Sequence, residues 1–150
     1  MDLIHIERSC YELSDKGERL SQAALPVAAL KALPAWVLLG EPGMGKTTAL
    51  RLLAGDNERS FVRARDVSAK VAEDFEHTEH LFVDGLDEVN DKLAIRNKLV
   101  ELKRGITLSS IGISSRYADW FQTRDHPDFK VIDSSLRVFV LEPLSEPQTL

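Results

Sequence analysis

The sequence predicts an α/β fold, a three-layer sandwich built on a mainly parallel sheet of five strands. Three observations predict it. From residue 35 onward, short apolar runs alternate with helical stretches, the pattern of parallel strands joined by crossover helices. A glycine-rich stretch, residues 40–47, lies between the first of those runs and a helix, where open α/β sheets place their ligands. A later apolar run, residues 81–83, leads to Asp84 and would deliver it to the same sheet edge.

Residues 1–34 read as a leader that packs on the core, with a turn at Ser14-Asp15-Lys16-Gly17 and prolines at 26 and 34. Trp36-Val37-Leu38-Leu39 is apolar without alternation, as in a strand buried on both faces. Residues 46–54 predict a helix with Ala49, Leu50 and Leu53 on one face and Gly55 as its stop. A weaker strand follows at 61–64. Asp66 is placed to cap a short helix reaching Phe75. After the strand at 81–83, Asn90 is placed to cap a helix to Arg104, with Gly105 just past its end. Residues 110–114 and 137–141 complete the five strands.

Composition removes several classes of function. The chain has 150 residues, enough for one domain with a sizeable core. With 43% hydrophobic and 29% charged residues it is not a disordered chain. A formal net charge of -5 supplies no global field for nucleic acid or acidic lipid. No apolar run approaches the roughly 20 residues of a membrane span. Asp2, His5, Glu7 and Arg8 argue against a secretory signal. Cys10 stands alone, so it reads as a small buried residue of a cytoplasmic protein.

Gly40-Glu41-Pro42-Gly43-Met44-Gly45-Lys46-Thr47, followed by Thr48, matches the phosphate-loop pattern in full. The glycines permit backbone angles that bring the chain close to a ligand. Amide groups then face phosphate oxygens, and the following helix adds its own N-terminus. Lys46 would reach the β- and γ-phosphates as a mobile charge, the loop's one cation. The Thr47 hydroxyl suits Mg²⁺, which takes hard oxygen ligands. A chance match in a chain of this length has odds on the order of one in a few hundred, and the strand and helix on either side lower them further. Asn97-Lys98-Leu99-Val100 lacks the Asp that would bond guanine and lies inside a helix, so ATP is favoured over GTP.

The second constellation is Asp84-Gly85-Leu86-Asp87-Glu88. At the carboxyl edge of a sheet Asp84 can hold Mg²⁺ directly or through water. Asp87 or Glu88 could orient an attacking water or accept its proton. Taken alone, Asp-Gly after an apolar run is as often just a solvated turn. After a complete phosphate loop, the metal-binding strand is the better reading.

These residues resemble the NACHT-type P-loop NTPases of the STAND class of signal-transduction ATPases. In most other P-loop ATPases the catalytic acid directly follows the metal-binding Asp; here Gly85 stands there and the acidic pair comes later, as in NACHT proteins. Ser114-Ser115-Arg116 resembles the family's sensor segment, whose Arg reads the γ-phosphate, although Tyr117 stands where Pro is frequent. Leu141-Glu142-Pro143-Leu144-Ser145-Glu146 resembles the segment from the fifth strand into the next helix. The resemblance covers about residues 35–146. It implies an ASCE-type sheet, binding of ATP, ADP and Mg²⁺, and charge neutralisation by Arg116. The stretch between Thr48 and Leu81 is short for the family. Family members continue into a helical lid, so residues 35–150 are expected to be a nucleotide-binding domain cut before that lid. Trp120 and Phe121 read either as core or as facing that missing lid; in the second case a surface around them would lack its cover and promote self-association or binding of a protein partner.

The expected function is an ATP-operated switch of a signalling or defence NTPase. The alternative is a fragment that holds nucleotide or a partner without turnover. A P-loop kinase is a weaker third reading, because no acceptor-binding lid is visible. His77 and His80 lack a third metal ligand at convincing spacing, and Glu76 to His80 reads as a solvated loop. The basic residues between Lys92 and Arg104 read as the solvated face of a helix.

Overall fold

The computed structural model describes residues 8–20, 23–41, 43–123 and 125–143. Its strands are β1 Ser9–Leu13, β2 Leu25–Pro26, β3 Ala35–Leu39, β4 Phe61–Arg63, β5 His80–Asp84, β6 Ser110–Ser115 and β7 Arg137–Leu141. They form one sheet in the order β2-β1-β7-β3-β6-β5-β4. Strands β7, β3, β6, β5 and β4 run parallel, and β1 runs antiparallel to β7 and β2. The expected α/β class and the five parallel strands are present, but the sheet is mixed and has seven strands. The two additional strands come from the first 34 residues of the sequence. β1 reads poorly as a strand because Glu12 interrupts it; the structure buries that carboxylate against Arg137, which donates from Nε and Nη2 at 2.7 Å each. β2 is two residues long, too short for periodicity to register.

Alternation along the strands divides the interior into two cores. Ala35, Val37 and Leu39 of β3 face one core with Leu81, Val83, Ile111 and Ile113. Trp36 and Leu38 face the other with Phe82, Phe139 and Leu141. Helix α1 Lys46–Ala54 covers the second face through Ala49, Leu50 and Leu53. Helix α2 Lys92–Gly105 covers the first through Ile95, Leu99 and Leu102, spaced for one helical stripe. The short helices α3 Tyr117–Phe121 and α4 Asp125–Phe129 extend that layer. Trp36 is fully buried and donates its indole N–H to Ser110 Oγ at 3.0 Å. Its ring fills the space beside Gly112, where an added Cβ would lie 2.1 Å from Trp36 Cζ2. Among the described residues, no helix is long and apolar enough to cross a membrane.

Local structure departs from the sequence in three places. The helix expected from Asp66 to Phe75 is two 3-10 turns, Ala64–Ala69 and Ala72–Phe75. Asp74 Oδ2 accepts the N–H of Val71 at 2.8 Å, so a new turn begins where a helix would have continued. Helix α2 is capped by Asp91, whose side chain accepts from the N–H of Ala94, one residue after the expected Asn90. Gly105 is the last residue of α2 and not the residue beyond it.

Candidate functional site

Sheet order brings the singled-out residues together. β3 feeds the phosphate loop, β5 ends in Asp84, and β6 lies between them and ends in Ser114 and Ser115. Gly43 and Gly45 adopt φ of +84° and +91°, the left-handed region that glycine enters without steric cost. Gly45 then caps the nine-residue helix α1. A cleft of about 630 Å³ opens at this edge, lined by Glu41, Gly43, Gly45, Lys46, Thr47, Asp84, Gly85, Asp87, Glu88, Ser114 and Arg116.

Lys46 folds back over its own loop, donating from Nζ to the Gly40 carbonyl at 2.6 Å and the Glu41 carbonyl at 3.4 Å. Partial burial lowers its pKa, against the upward pull of Asp87, Asp84 and Glu41; Arg116 adds to the lowering. The ammonium is thus held by carbonyl dipoles within reach of three carboxylates, and can exchange those carbonyls for a stronger anionic acceptor.

Asp84 is buried, and hydroxyls from two elements fix its carboxylate. Thr47 Oγ1 donates to Oδ2 at 2.8 Å and Ser114 Oγ donates to Oδ1 at 2.7 Å. Ser114 Oγ in turn accepts the N–H of Gly85 at 2.9 Å. Gly85 takes φ +82° and turns the chain out of β5. Leu86 is buried and anchors the next turn, which leaves Asp87 partly exposed and Glu88 exposed at the cleft. The Glu88 carboxylate bends back, so a Cβ on Gly85 would lie 3.1 Å from Glu88 Oε1.

The Thr47 hydroxyl and the Asp84 carboxylate are adjacent hard oxygens facing one cleft. They fit Mg²⁺, which takes one or two protein oxygens and keeps several waters. The Thr47 proton is already directed at Asp84, leaving its lone pairs for a cation. No group of three or more His, Cys, Asp or Glu suited to a metal occurs among the described residues, and His77 and His80 instead line a separate cleft of about 930 Å³ at residues 75–80.

The remaining expected residues are placed unevenly. Arg116 lines the cleft, is exposed, and approaches Asp119 at 3.7 Å. Met44 packs on the second core and its sulfur accepts the N–H of Glu41 at 3.3 Å. Gly40 lies under the Lys46 side chain. Thr48 is exposed on α1 and does not line the cleft. Pro42 and residues 144–146 fall outside the described residues. The expected uncovered surface at Trp120 is corrected: Trp120 is fully buried against Phe129, and its indole N–H donates to His126 Nδ1 at 3.0 Å. Phe121 is partly buried and packs against that core and the ring of His126. Cys10 is buried as expected, which pushes its thiol pKa up to about 12.

Two residues gained roles that sequence reasoning had not given them. Ser114 was read only as part of a sensor segment, yet it is the hydroxyl that orients Asp84. A polar residue at the end of a wholly buried strand was the available signal. Arg8 of the leader reaches the phosphate loop: a Cβ on Gly45 would lie 2.9 Å from its Nη1. No local pattern connects positions so far apart in the chain. Lys46 remains the one cation within residues 40–47, and Arg8 adds a guanidinium beside Gly45.

No protein family matches this chain, and no curated protein does. Among solved structures the chain is similar to one described as a DNA replication initiation factor, with a TM-score of 0.57 at 14% identity. The similarity covers 82% of this chain and 44% of that one. At that identity it shows a shared fold.

Proposed function

We propose that the chain is an ATP-binding module that works with Mg²⁺, the nucleotide core of an ASCE-type P-loop NTPase similar to the NACHT type of the STAND class. The observation that carries the reading is the convergence on Asp84. Thr47 from the phosphate-loop helix and Ser114 from β6 both hydrogen-bond one buried carboxylate at the mouth of the loop. A solvated turn would not organise its acid in this way. The position of β6 between β3 and β5 supports the ASCE assignment, and the shared fold with a replication factor is compatible with it.

The roles follow from position. The loop from Gly40 through Thr48 cradles phosphates through its backbone N–H groups, Pro42 excepted because it has none. Lys46 releases the Gly40 carbonyl and takes the β- and γ-phosphates. Thr47 and Asp84 would hold Mg²⁺, which when bound neutralises charge on the phosphates. Glu88, or Asp87 beside it, orients a water. The water oxygen bonds the γ-phosphorus as the bond to the ADP oxygen breaks, and the water's proton passes to the carboxylate. Arg116 addresses the γ-phosphate from the end of β6. ATP and ADP then favour different arrangements of neighbouring protein parts, which is what a switch requires. The single buried Cys10 suits a cytoplasmic setting.

Calorimetry with Mg-ATP tests the reading. Wild type should bind, Lys46→Ala should lose most of its affinity, and Asp84→Ala should lose affinity with Mg²⁺ far more than in EDTA. Equal affinity in wild type and Lys46→Ala would refute the phosphate-loop assignment, and an equal loss in EDTA would make Asp84 purely structural.

A second reading is binding without turnover. Glu88 and Arg116 are both exposed, and electrostatic stabilisation of a transition state is weaker in a wet site than in a closed one. ATP binding with the same background hydrolysis in wild type and Glu88→Gln would decide for this reading.

A further inference from the structure

The leader's contact with the phosphate loop has an electrostatic peculiarity. Arg8 immediately precedes β1 and is tied down at several points: its carbonyl accepts the N–H of Val27 at 3.0 Å, and the N–H of Glu142 donates to the neighbouring Ser9 carbonyl at 2.9 Å. Its Nη2 donates to the Glu142 carbonyl at 2.8 Å. Its Nη1 is turned to Gly45, the residue that opens α1. The guanidinium is partly buried, and burial lowers its pKa.

A cation partly removed from water would ordinarily be paired. This one sits beside a second positive feature, the amide-bearing start of a nine-residue helix. Two positive features in contact repel unless an anion lies between them. Gly45 removes the side chain that would separate them, since a Cβ there would come to 2.9 Å from Nη1. The arrangement has the form of an anion site whose guanidinium is held by one carbonyl through Nη2 and can fork onto phosphate oxygens.

Arg8 also approaches from a definite side. The cleft that holds Asp84, Asp87, Glu88 and Arg116 is lined by Gly45 but not by Arg8. Arg8 meets the loop at Gly45, whereas the carboxylates and Arg116 line the cleft and would mark the γ-phosphate end. The loop's amides cradle the α- and β-phosphates.

We propose that Arg8 is a nucleotide-binding residue that recognises the α,β-diphosphate, the part shared by ADP and ATP. This rests on the nucleotide-binding reading above and deepens it. Arg8 makes the leader part of the site and holds either nucleotide, leaving discrimination between them to Arg116. Because the same guanidinium bonds the Glu142 carbonyl, it also ties the end of β7 to an occupied loop.

Calorimetric titration of the full chain with Mg-ATP, Mg-ADP and inorganic pyrophosphate tests this on wild type, Arg8→Gln, Arg8→Lys and Arg116→Gln. Arg8→Gln should weaken all three by about tenfold, the effect of one charge-assisted contact. Arg8→Lys should fall between, because it keeps the charge and loses the fork. Arg116→Gln should weaken ATP alone. Wild-type affinity in Arg8→Gln for ADP and pyrophosphate would overturn the proposal, as would a loss confined to ATP. If wild type itself binds none of the three, the nucleotide-binding reading fails instead. Should Arg8→Gln prove unstable, Arg8→Lys carries the test, since its ammonium still has a donor for the Glu142 carbonyl; ADP affinity equal to wild type would then refute.

Discussion

Ser114→Ala probes the hydrogen-bonded frame of the cleft most directly. The substitution removes one donor and one acceptor at a fully buried position. The bond from Ser114 Oγ to Asp84 Oδ1 is charge-assisted and buried at 2.7 Å, so its loss costs about 1.5–3 kcal/mol. The Gly85 N–H, which donates to the same oxygen at 2.9 Å, loses its partner. Gly85 is only partly buried, so water can replace that acceptor, and this loss falls at the low end, about 1 kcal/mol. Alanine leaves almost no cavity, and the sum is about 2.5–4 kcal/mol of stability. Asp84 would keep only the Thr47 hydroxyl among the two bonds and would swing more freely. Affinity for Mg-ATP should then fall by about tenfold, with a smaller change in EDTA. Urea denaturation of both proteins at neutral pH reads the first effect, and calorimetry with and without Mg²⁺ reads the second. A stability change below about 0.5 kcal/mol, the ordinary range of surface substitutions, would show that the Asp84 frame is not held by Ser114.

Other substitutions address other parts of the argument. Glu88→Gln should preserve ATP binding and slow hydrolysis by about 10²–10⁴-fold; if Asp87→Asn alone does so in a steady-state phosphate-release assay, the two carboxylates exchange roles. Gly112→Ala should destabilise the fold by more than about 1–3 kcal/mol, or prevent folding, because the new Cβ would stand 2.1 Å from the Trp36 ring; an unchanged melting temperature would contradict the packing described for that core. The Lys103 ammonium, with help from Ser135, holds the Asp133 pKa down to about 2. A depressed carboxylate stabilises the fold above its unfolded pKa of about 3.9 and loses that contribution as pH falls through about 2. Asp133→Asn should therefore cost about 1 kcal/mol at neutral pH, with the difference from wild type shrinking between about pH 4 and pH 2; a difference independent of pH would exclude the ion pair as its cause.

Legibility in the sequence followed the physics of each element. The parallel strands were visible because both faces are buried, so residues 36–39 and 81–83 are continuously apolar. Residues 40–47 and Asp84 stood out because a phosphate-binding loop and a metal-holding acid would need particular residue types at fixed spacing. β1 was hidden by Glu12, whose burial is supported by Arg137 on the neighbouring strand, more than a hundred positions along the chain. The two 3-10 turns between residues 64 and 75 were hidden because Asp74 competes for a backbone N–H that a helix would have used. Trp120 stays between core and cover in the sequence because the partner that decides for core, His126, lies in another helix. Arg8 and Ser114 illustrate the same limit: motif spacing records local pattern, while contacts made across the fold, Arg8 beside Gly45 and Ser114 on Asp84, leave no spacing to read.

The short outer strands have a consequence for how this protein meets copies of itself. Among the described residues, one lateral boundary of the sheet is β2, two residues that include Pro26, and the other is β4, three residues long. Proline offers no amide hydrogen, and a boundary of two or three residues is a poor template for another backbone to zip onto. Growth of the sheet from one molecule into the next is thereby disfavoured at both sides. Assembly, where it occurs, falls to side-chain surfaces, whose complementarity can change with the occupant of the cleft in a way that backbone pairing cannot.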